Sequence, residues 1–389
     1  MSAAIAVIKR ELLHLRQDRG DCFLTFGLLP VLCLLVAWIF SAGQPDHIAI
    51  SVVDQDQSSV SRQLIRLIDA NPAVEVVQHD HQVSAAVDAM RQRDVYAVLV
   101  LPNLLEASIY QGNPADLVLH YNAQYTSYAS TVTRAIQQTV MTAAIGISTD
   151  RRQRTGQSAT DALATMHPIA ITATPLFNQG PSYEVFLAAT LIPALFQIIA
   201  MVIAVSIVGR ELRDGTAAQW LEAAGGSLLT ALLAKFLPYF LSLAGYGALY
   251  VLFFRQLNPE SYLGSSTHIY SALLLMLGAA MAIGMLLVGC TRNFRMALSL
   301  AGFYSAPAFA FSGQAFPLVA MPALAQYWAS LLPLTYWLKL YNQQWLAGAP
   351  LTSSYLPVVV LLAMSLLAAG LGSFLLRRVA FVPDNWGAR

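Results

Sequence analysis

Six long apolar stretches without a charged residue constrain the fold of this chain more than any other feature. They cover residues 22–40, 185–208, 236–254, 269–290, 296–316 and 355–376. A bilayer core about 30 Å thick needs about 20 apolar helical residues, and a helix satisfies its own backbone where water is absent. The sequence therefore predicts a polytopic α-helical membrane protein with six transmembrane helices. The fifth stretch contains Gly302, Pro307 and Gly313, and we expect it to end early.

The composition leads to the same prediction. Of the 389 residues, 57% are hydrophobic and 11% are charged, whereas ordinary globular chains carry about 25% charged residues. So few charges cannot cover a water-facing surface. The net charge of +1 gives no indication of a nucleic-acid partner. The three cysteines lie in or beside apolar stretches, so the sequence predicts no disulfide framework.

Residues 1–21 are expected to form an amphipathic helix on the membrane surface, ahead of a first transmembrane helix at 22–42. Its apolar residues recur at helical spacing and are Ile5, Ile8, Leu12 and Leu15. Cleavage of a signal peptide after Ala42 is the alternative. We favour it less, because the apolar core is longer than the usual signal-peptide core of about 7–15 residues.

The distribution of basic residues predicts the orientation, because short cytoplasmic segments carry an excess of Lys and Arg. Placing the N-terminus inside leaves only Arg255 and Lys339 in short outside loops. The basic residues then inside are Lys9, Arg10, Arg16, Arg19, Arg210, Arg213, Lys235, Arg292, Arg295, Arg377, Arg378 and Arg389. Both termini, including a tail at 379–389, are therefore expected in the cytoplasm, and we expect the chain in the inner (plasma) membrane.

The segment 43–182 is more polar and is predicted to be an extracytoplasmic, periplasmic α/β domain. Strands are predicted at 48–53, 74–77, 96–101 and 117–121. Helices are predicted from Ser58 or Ser59 to about 70, at 82–93, and from 127 to about 151. The strands alternate with helices, which is typical of a small αβ sandwich.

No catalytic or metal-binding constellation is evident in this domain, so the sequence predicts no enzyme. Asp54, Asp56 and Ser58 alternate as in a calcium loop, but the glycine and the closing glutamate of that loop are missing. His79 and His81 could share a metal on a strand, but no third ligand is evident. Polar loops are the simpler interpretation of both groups.

The chain lacks the glycine-rich, lysine-containing loop that binds nucleotide phosphates, and its apolar stretches lack the charges that mark ion paths. A transport protein of this kind needs an external motor. The loop 209–227 between the second and third stretches concentrates Arg210, Glu211, Arg213 and Asp214. A short helix after Thr216 would end in Trp220 and Leu221 as an apolar tip, which suits docking into a partner's groove. A solvated connector is the alternative.

Several motifs in this order resemble the permeases of type-2 ABC exporters, in their bacterial inner-membrane subgroup with a large external domain. Arg210-Glu-x-x-x-Gly-Thr-x-x-Gln-x-Leu221, followed by Lys235, resembles the coupling-helix region. The other matching segments are 48–61, Pro175-Leu-Phe-Asn178, Phe311-Ser-Gly-Gln-Ala-Phe-Pro317, Met321-Pro322 and Leu332-Pro-Leu-Thr-Tyr336. Relatives usually carry a proline soon after the Gly-Thr helix, whereas this chain continues to Gly225-Gly226, which predicts a more flexible exit.

The resemblance implies a permease that pairs with a second permease, as a homodimer or with a sister chain. Separate cytoplasmic ATPase subunits would bind ATP and magnesium, so no cofactor is expected in this chain. The residues it implies for coupling are Arg210, Glu211, Arg213, Asp214, Gly215, Thr216, Gln219, Trp220 and Leu221. A five-helix domain at 183–378 would hold the coupling loop and a re-entrant or external segment at 317–340. The residues expected near the outer interface are Phe316, Pro317, Pro322, Trp328, Pro333, Tyr336 and Trp337.

The uncharged stretches favour a hydrophobic or amphipathic substrate, such as a drug or a lipid. Two other functions are left open by the sequence. The first is an ion-coupled secondary transporter, which would need no ATPase. The second is a membrane-anchored adaptor whose external domain recruits an envelope protein. A periplasmic adaptor protein is left open as a further partner of an exporter.

Overall fold

The computed structural model describes residues 2–41, 45–111, 116–154, 182, 184–380 and 382. Contacts divide the chain into two compact units. One contains Met1–Gly43 and Pro175–Arg389, and the other contains Gln44–Thr174. Three features of the sequence fall outside the described residues: the 175–178 motif, the alternative cleavage position after Ala42, and all but the start of the tail at 379–389.

The N-terminal part forms two helices, α1 (Ser2–Gln17) and α2 (Arg19–Ile39). Asp18 separates them and caps α2, because its carboxylate accepts hydrogen bonds from the backbone N–H groups of Asp21 and Gly20. These bonds stabilise the charged form and lower the pKa of Asp18. The apolar spacing at the start of the chain thus predicted a helix correctly.

The apolar residues of α1 do not share one environment. Leu15 is buried together with Val7 and Glu11, whereas Ile5 and Leu12 are exposed. The helix therefore packs against the protein through a face centred on Glu11, and it leaves a second apolar edge uncovered. A location on the membrane surface stays a prediction, and the exposed edge is compatible with it.

The Gln44–Thr174 unit contains a four-stranded sheet with strand order β2-β1-β3-β4. Strand β1 pairs in parallel with β2 and β3, and β4 pairs antiparallel with β3. The elements are β1 (Ile48–Asp54), α3 (Ser59–Asp69), β2 (Val74–Asp80), α4 (Val83–Gln92), β3 (Ala97–Leu101), α5 (Leu105–Gln111), β4 (Val118–Tyr121) and α6 (Thr126–Arg154). The four predicted strands are therefore present, and α5 is a helix that the sequence pattern missed.

Both faces of the sheet are covered. Helices α3, α5 and α6 pack with Ile50 and Leu99 on one face, and α4 packs with Val53 and Val98 on the other. The suggested calcium loop has a structural role instead. Asp54 accepts hydrogen bonds from the N–H groups of residues 56 and 57, and the Ser58 hydroxyl caps α3 at Ser61 N. The side chains of residues 79 and 81 are exposed.

The remaining unit is a helical bundle. Its long helices are α7 (Glu184–Arg213), α9 (Leu228–Leu257), α10 (Ser266–Thr291) and α15 (Tyr355–Ala380), and a short helix α8 (Ala217–Ala223) lies between α7 and α9. Among the described residues, five helices are long and apolar enough to cross a membrane: α2, α7, α9, α10 and α15. Helices α7 and α10 form the centre, whereas α2 and α15 expose most of their apolar side chains.

The predicted count of six full-length membrane helices is not confirmed. The fifth apolar stretch is divided into α11 (Phe294–Ser305) and a four-residue helix α12 (Ala308–Phe311). The break falls at Pro307, whose ring and missing N–H interrupt helical hydrogen bonding. Gly313 follows in the left-handed region at φ 91°. The expectation that this stretch ends early agrees with the structure.

The segment between the fifth stretch and α15 folds into short helices. They are α13 (Ala323–Ser330) and α14 (Pro333–Leu340), and a π-helical turn at Tyr341–Leu346 continues from α14. Pro333 occupies the first turn of α14, where a missing N–H is tolerated. The N–H of Leu334 donates to the buried Gln197 Oε1 at 2.8 Å. This bond fastens the start of α14 to α7.

Candidate functional site

The coupling loop (209–227) is a compact, hydrogen-bonded element. Helix α7 ends at Arg213, the chain turns through Gly215 at φ 68°, and α8 begins at Ala217. Gly225 and Gly226 end α8 with φ of 68° and 76°, and the N–H of Gly226 donates to Leu221 O at 2.8 Å. Glycine tolerates these left-handed conformations without a Cβ penalty, so the exit of α8 is closed by a glycine C-cap.

Arg210 and Glu211, which the sequence places at a charged loop, point into the protein. Their exposed fractions are 6% and 2%. Arg210 forms ion pairs with Glu11 of α1 and Asp21 of α2. Glu211 Oε1 lies 2.6 Å from Lys235 Nζ of α9, and Glu211 Oε2 lies 2.8 Å from Arg10 Nη2 of α1. These two residues therefore join separate helices and are not part of an exposed docking surface.

Three acids and three bases form this charge cluster: Arg10, Glu11, Asp21, Arg210, Glu211 and Lys235. Glu11 occupies its centre, since it pairs with Arg210 and with Lys235 Nζ, the latter at 2.5 Å. Lys235 is fully buried and Glu11 is 1% exposed. Buried charges are tolerated only when they are paired and hydrogen-bonded, and the equal numbers of acids and bases satisfy that requirement.

Two hydroxyl groups and one imidazole complete the cluster. The Tyr239 hydroxyl donates to Glu11 Oε2 at 3.1 Å and accepts from Arg210 Nη2 at 3.2 Å. The Thr216 hydroxyl donates to Glu211 Oε2 at 2.5 Å, which connects the start of α8 to the cluster. His14 Nε2 lies 2.9 Å from Asp21 Oδ2. The result is one polar network that holds α1, α2, α7 and α9 to the coupling loop.

Trp220 and Leu221 do not form the exposed apolar tip that the sequence predicts; that interpretation was wrong. Trp220 is 1% exposed and Leu221 is 5% exposed. The Lys235 ammonium lies 5.2 Å from the centroid of the Trp220 ring, which is within the range of a cation–π contact. Burial of an indole and an isobutyl group against the bundle fixes α8 in place, so α8 is an anchored helix with only one free side.

The surface that remains available on the loop is the exposed coupling face, which consists of Arg213, Asp214, Gly215, Ala218 and Gln219. Thr216 lies at its edge and is half-buried. Arg213 donates to both carboxylate oxygens of Asp214, at 2.7 and 3.0 Å. These hydrogen bonds hold the pKa of Asp214 below its usual value. Whether this face binds an ATPase stays a prediction.

A contact that the sequence did not predict joins the coupling loop to the connection between α10 and α11. The Arg213 guanidinium lies 5.0 Å from the centroid of the Phe294 ring. A Cβ at Gly209 would lie 2.6 Å from Phe294 Cδ2, so the glycine allows the ring to approach the end of α7. Asn293 caps α11 by accepting from Met296 N. The coupling loop and the α10–α11 connection, both predicted to be cytoplasmic, are therefore packed together.

The residues expected near an outer interface occupy different environments. Phe316, Pro317 and Pro322 are exposed, and Trp328 and Tyr336 are half-buried. By contrast, Pro333 and Trp337 are buried.

Trp337 packs inside the protein, and its depth relative to an outer interface stays a prediction. It stacks on Tyr341 with ring centroids 5.5 Å apart and also packs against Tyr250. Other aromatic side chains therefore surround its ring.

One group of described side chains has metal-ligating chemistry: His14, Asp18 and Asp21, whose ligand atoms lie within 4.8 Å of one another. Each has a structural partner. Asp18 caps α2, and Asp21 pairs with Arg210 and His14. These structural contacts at the edge of the charge cluster explain why the three side chains lie close together.

No curated protein matches the chain. The family model described as ABC-2 family transporter protein matches residues 21–374, which include most of α2, the coupling loop and α15 as far as Phe374. The chain therefore belongs to the ABC-2 family of transporter proteins.

Proposed function

We propose that this chain is the membrane-spanning permease subunit of an ATP-driven exporter, and that separate ATPase subunits dock on its exposed coupling face. Family membership supports the permease. One observation supports the docking site in particular: α8 is fixed on its inner side by Trp220 and the charge cluster, while Gln219 and Ala218 face outward. A helix that is anchored on one side can transmit force applied to its other side.

In this proposal ATP and Mg²⁺ bind to the partner subunits, and closure of the ATPase dimer displaces the exposed coupling face. Thr216 bonds to Glu211, and Glu211 bonds to Lys235 and Arg10. Displacement of α8 would therefore move the loop ends of α7 and α9 together with α1. The ion pairs and hydrogen bonds of the charge cluster resist separation of these helices more than isolated packing contacts would.

The same proposal places the chain in the inner membrane with both termini and the coupling loop in the cytoplasm. The residues 43–182 would then lie in the periplasm, where a periplasmic adaptor protein could bind. Support comes from the basic residues at the loop end of the bundle, such as Arg292 and Arg295. A second permease, identical or a sister chain, would complete the translocation path.

The proposed substrate is a hydrophobic or amphipathic molecule of the drug or lipid type. The support is chemical: each of the five candidate membrane helices contains a long apolar window, and the buried Glu11, Arg210, Glu211 and Lys235 are paired with one another near the coupling loop. Helices of this composition suit a molecule that partitions into the bilayer.

Replacing Gln219 by arginine is expected to weaken association with the ATPase at least tenfold without changing the thermal stability of the permease. Gln219 is exposed on α8, so the substitution adds bulk and charge to the docking surface without disturbing the interior. The measurement is co-purification of the permease with its ATPase, followed by the rate of ATP hydrolysis in nanodiscs.

The matched control is Gln256→Arg, which makes the same substitution at an exposed position near the opposite end of α9. It should leave association and ATP hydrolysis at the level of the unmodified protein. If Gln219→Arg binds the ATPase and supports ATP hydrolysis as well as Gln256→Arg does, α8 does not have the docking role.

A further inference from the structure

A recessed apolar groove of about 310 Å³ opens between α9, α10 and α15. Along α9 it extends from Leu229 to Phe240. Small residues form part of its remaining lining, namely Gly278 and Ala282 of α10 and Ala369 and Ser373 of α15. A Cβ at Gly278 would meet only Ser365 Oγ, at 3.8 Å, so close packing does not require glycine there. The small side chains leave the groove open, whereas larger side chains at these positions would fill it.

The length of the groove matches one leaflet of a bilayer. Leu229 and Phe240 are eleven residues apart in a continuous helix, a separation of about 16 Å at 1.5 Å per residue. Half of a bilayer core is about 15 Å. Leu229 and Leu233 on its rim are exposed. A groove of this depth on a membrane helix bundle has the dimensions for a single acyl chain inserted from one side.

A positive charge lies at the end where a headgroup would be. Ala369, Ser373 and Arg377 are spaced by four residues on α15, so they lie on one face of the helix, and Arg377 is one turn beyond the groove. Among the described residues Arg377 forms no ion pair, and it is exposed. The first turn of α9, which includes Leu229, begins at the same end and adds the positive end of a helix dipole.

We propose that this groove binds one acyl chain of an anionic phospholipid, and that Arg377 holds the phosphate of its headgroup. The source is the leaflet on the coupling-loop side, since α9 begins and α15 ends on that side. Arginine forms paired hydrogen bonds with phosphate, and its guanidinium can reach the interface while its stem stays apolar. This site is independent of the docking of ATPase subunits.

The test uses the purified full-length chain in phosphatidylcholine nanodiscs with a trace of photoactivatable lipid carrying a diazirine in its acyl chain. Phosphatidylglycerol and phosphatidylcholine probes are compared, and mass spectrometry locates the adducts. We expect phosphatidylglycerol to label the peptides around Ala282 and Ser373 about fivefold more than phosphatidylcholine, which is the preference that one basic residue near the membrane surface provides.

Two variants and two matched controls identify the site. Arg377→Gln should remove the preference for phosphatidylglycerol, and Ser373→Phe should fill the groove and reduce its labelling at least fivefold. Arg378→Gln and Leu371→Phe alter the other side of α15 and should change neither. Because Arg377 is exposed, its substitution tests the proposal even if Ser373→Phe lowers the thermal stability.

The proposal is overturned by equal labelling with both lipids, or by a preference that survives Arg377→Gln. It is also overturned if adducts spread evenly over the exposed face of α15 that carries Leu371, which would show only general lipid contact. Cross-links between two chains at Ala282 or Ser373, with lipid excluded, would assign the groove to a second copy of the protein instead.

Discussion

Replacing Glu11 by alanine is expected to destabilise the folded protein by about 3–5 kcal/mol, which is the usual effect of removing one partner of a buried ion pair. Glu11 is 1% exposed and pairs with both Arg210 and Lys235. Without it, three bases of the charge cluster would face two acids. Lys235 is fully buried, so water could not compensate its ammonium without opening the contact between α1 and α9.

The measurement is thermal unfolding of the purified chain in detergent, together with ATPase stimulation by the permease. Glu260→Ala serves as the matched control, because Glu260 is exposed at the opposite end of the bundle and its removal should change stability by less than about 0.5 kcal/mol. If Glu11→Ala unfolds at the same temperature as Glu260→Ala, the central role of Glu11 is wrong.

A double variant separates charge balance from packing. Glu11→Gln combined with Lys235→Met removes one acid and one base, so the cluster stays neutral. We expect this double variant to be more stable than either single variant, with a coupling free energy of about 1–3 kcal/mol. Additive losses would mean that Glu11 and Lys235 stabilise the protein independently, in contradiction to their 2.5 Å contact.

The charge cluster shows where prediction from the sequence stops. Arg210 and Glu211 stand in a loop rich in charge, and such residues are usually solvated. The burial of Arg210 depends on Glu11 and Asp21, and that of Glu211 depends in part on Arg10; all three partners lie about two hundred positions away in the chain. An acidic residue within the packed face of α1 was the available signal, because a buried carboxylate needs a cation somewhere in the fold.

Local patterns were more informative where burial alone decides the structure. Apolar runs bounded by turns located the four strands, and the signal was clearest for β1 and β3, which are buried on both faces. Apolar length located five helices that are long and apolar enough to cross a membrane among the described residues. The same criterion overestimated the 296–316 stretch, because hydropathy does not register the loss of helical hydrogen bonds at Pro307. Trp220 was wrongly predicted to be exposed, because the charged residues around it in the sequence do not show that the Lys235 ammonium lies over its ring.

A methyl group at Gly264 is expected to destabilise the end of the bundle opposite the coupling loop by about 3–4 kcal/mol. A Cβ on Gly264 would lie 1.5 Å from the backbone oxygen of Gln344, which cannot rotate away as a side chain could. The N–H of Gly264 also donates to Trp345 O at 2.9 Å. Gly264→Ala therefore forces the loop between α9 and α10 to separate from the π-helical turn after α14.

Separation of these segments would break an aromatic contact as well as a hydrogen bond. Tyr262, two residues before Gly264, stacks on Trp345 with ring centroids 4.1 Å apart. A hydrogen bond contributes about 1 kcal/mol and an aromatic pair about 0.5–1.5 kcal/mol, and exposure of two buried rings accounts for the remainder of the expected loss. Thermal unfolding of the purified variant measures the total.

Gly245→Ala is the matched control for this prediction. Gly245 lies inside α9, and a Cβ there meets no atom within 4 Å. Alanine favours a helix over glycine by about 1 kcal/mol, so this variant should be as stable as the unmodified chain or more stable. If Gly264→Ala resembles Gly245→Ala, the loop can move without loss and the stack of Tyr262 on Trp345 does not hold this end of the bundle closed.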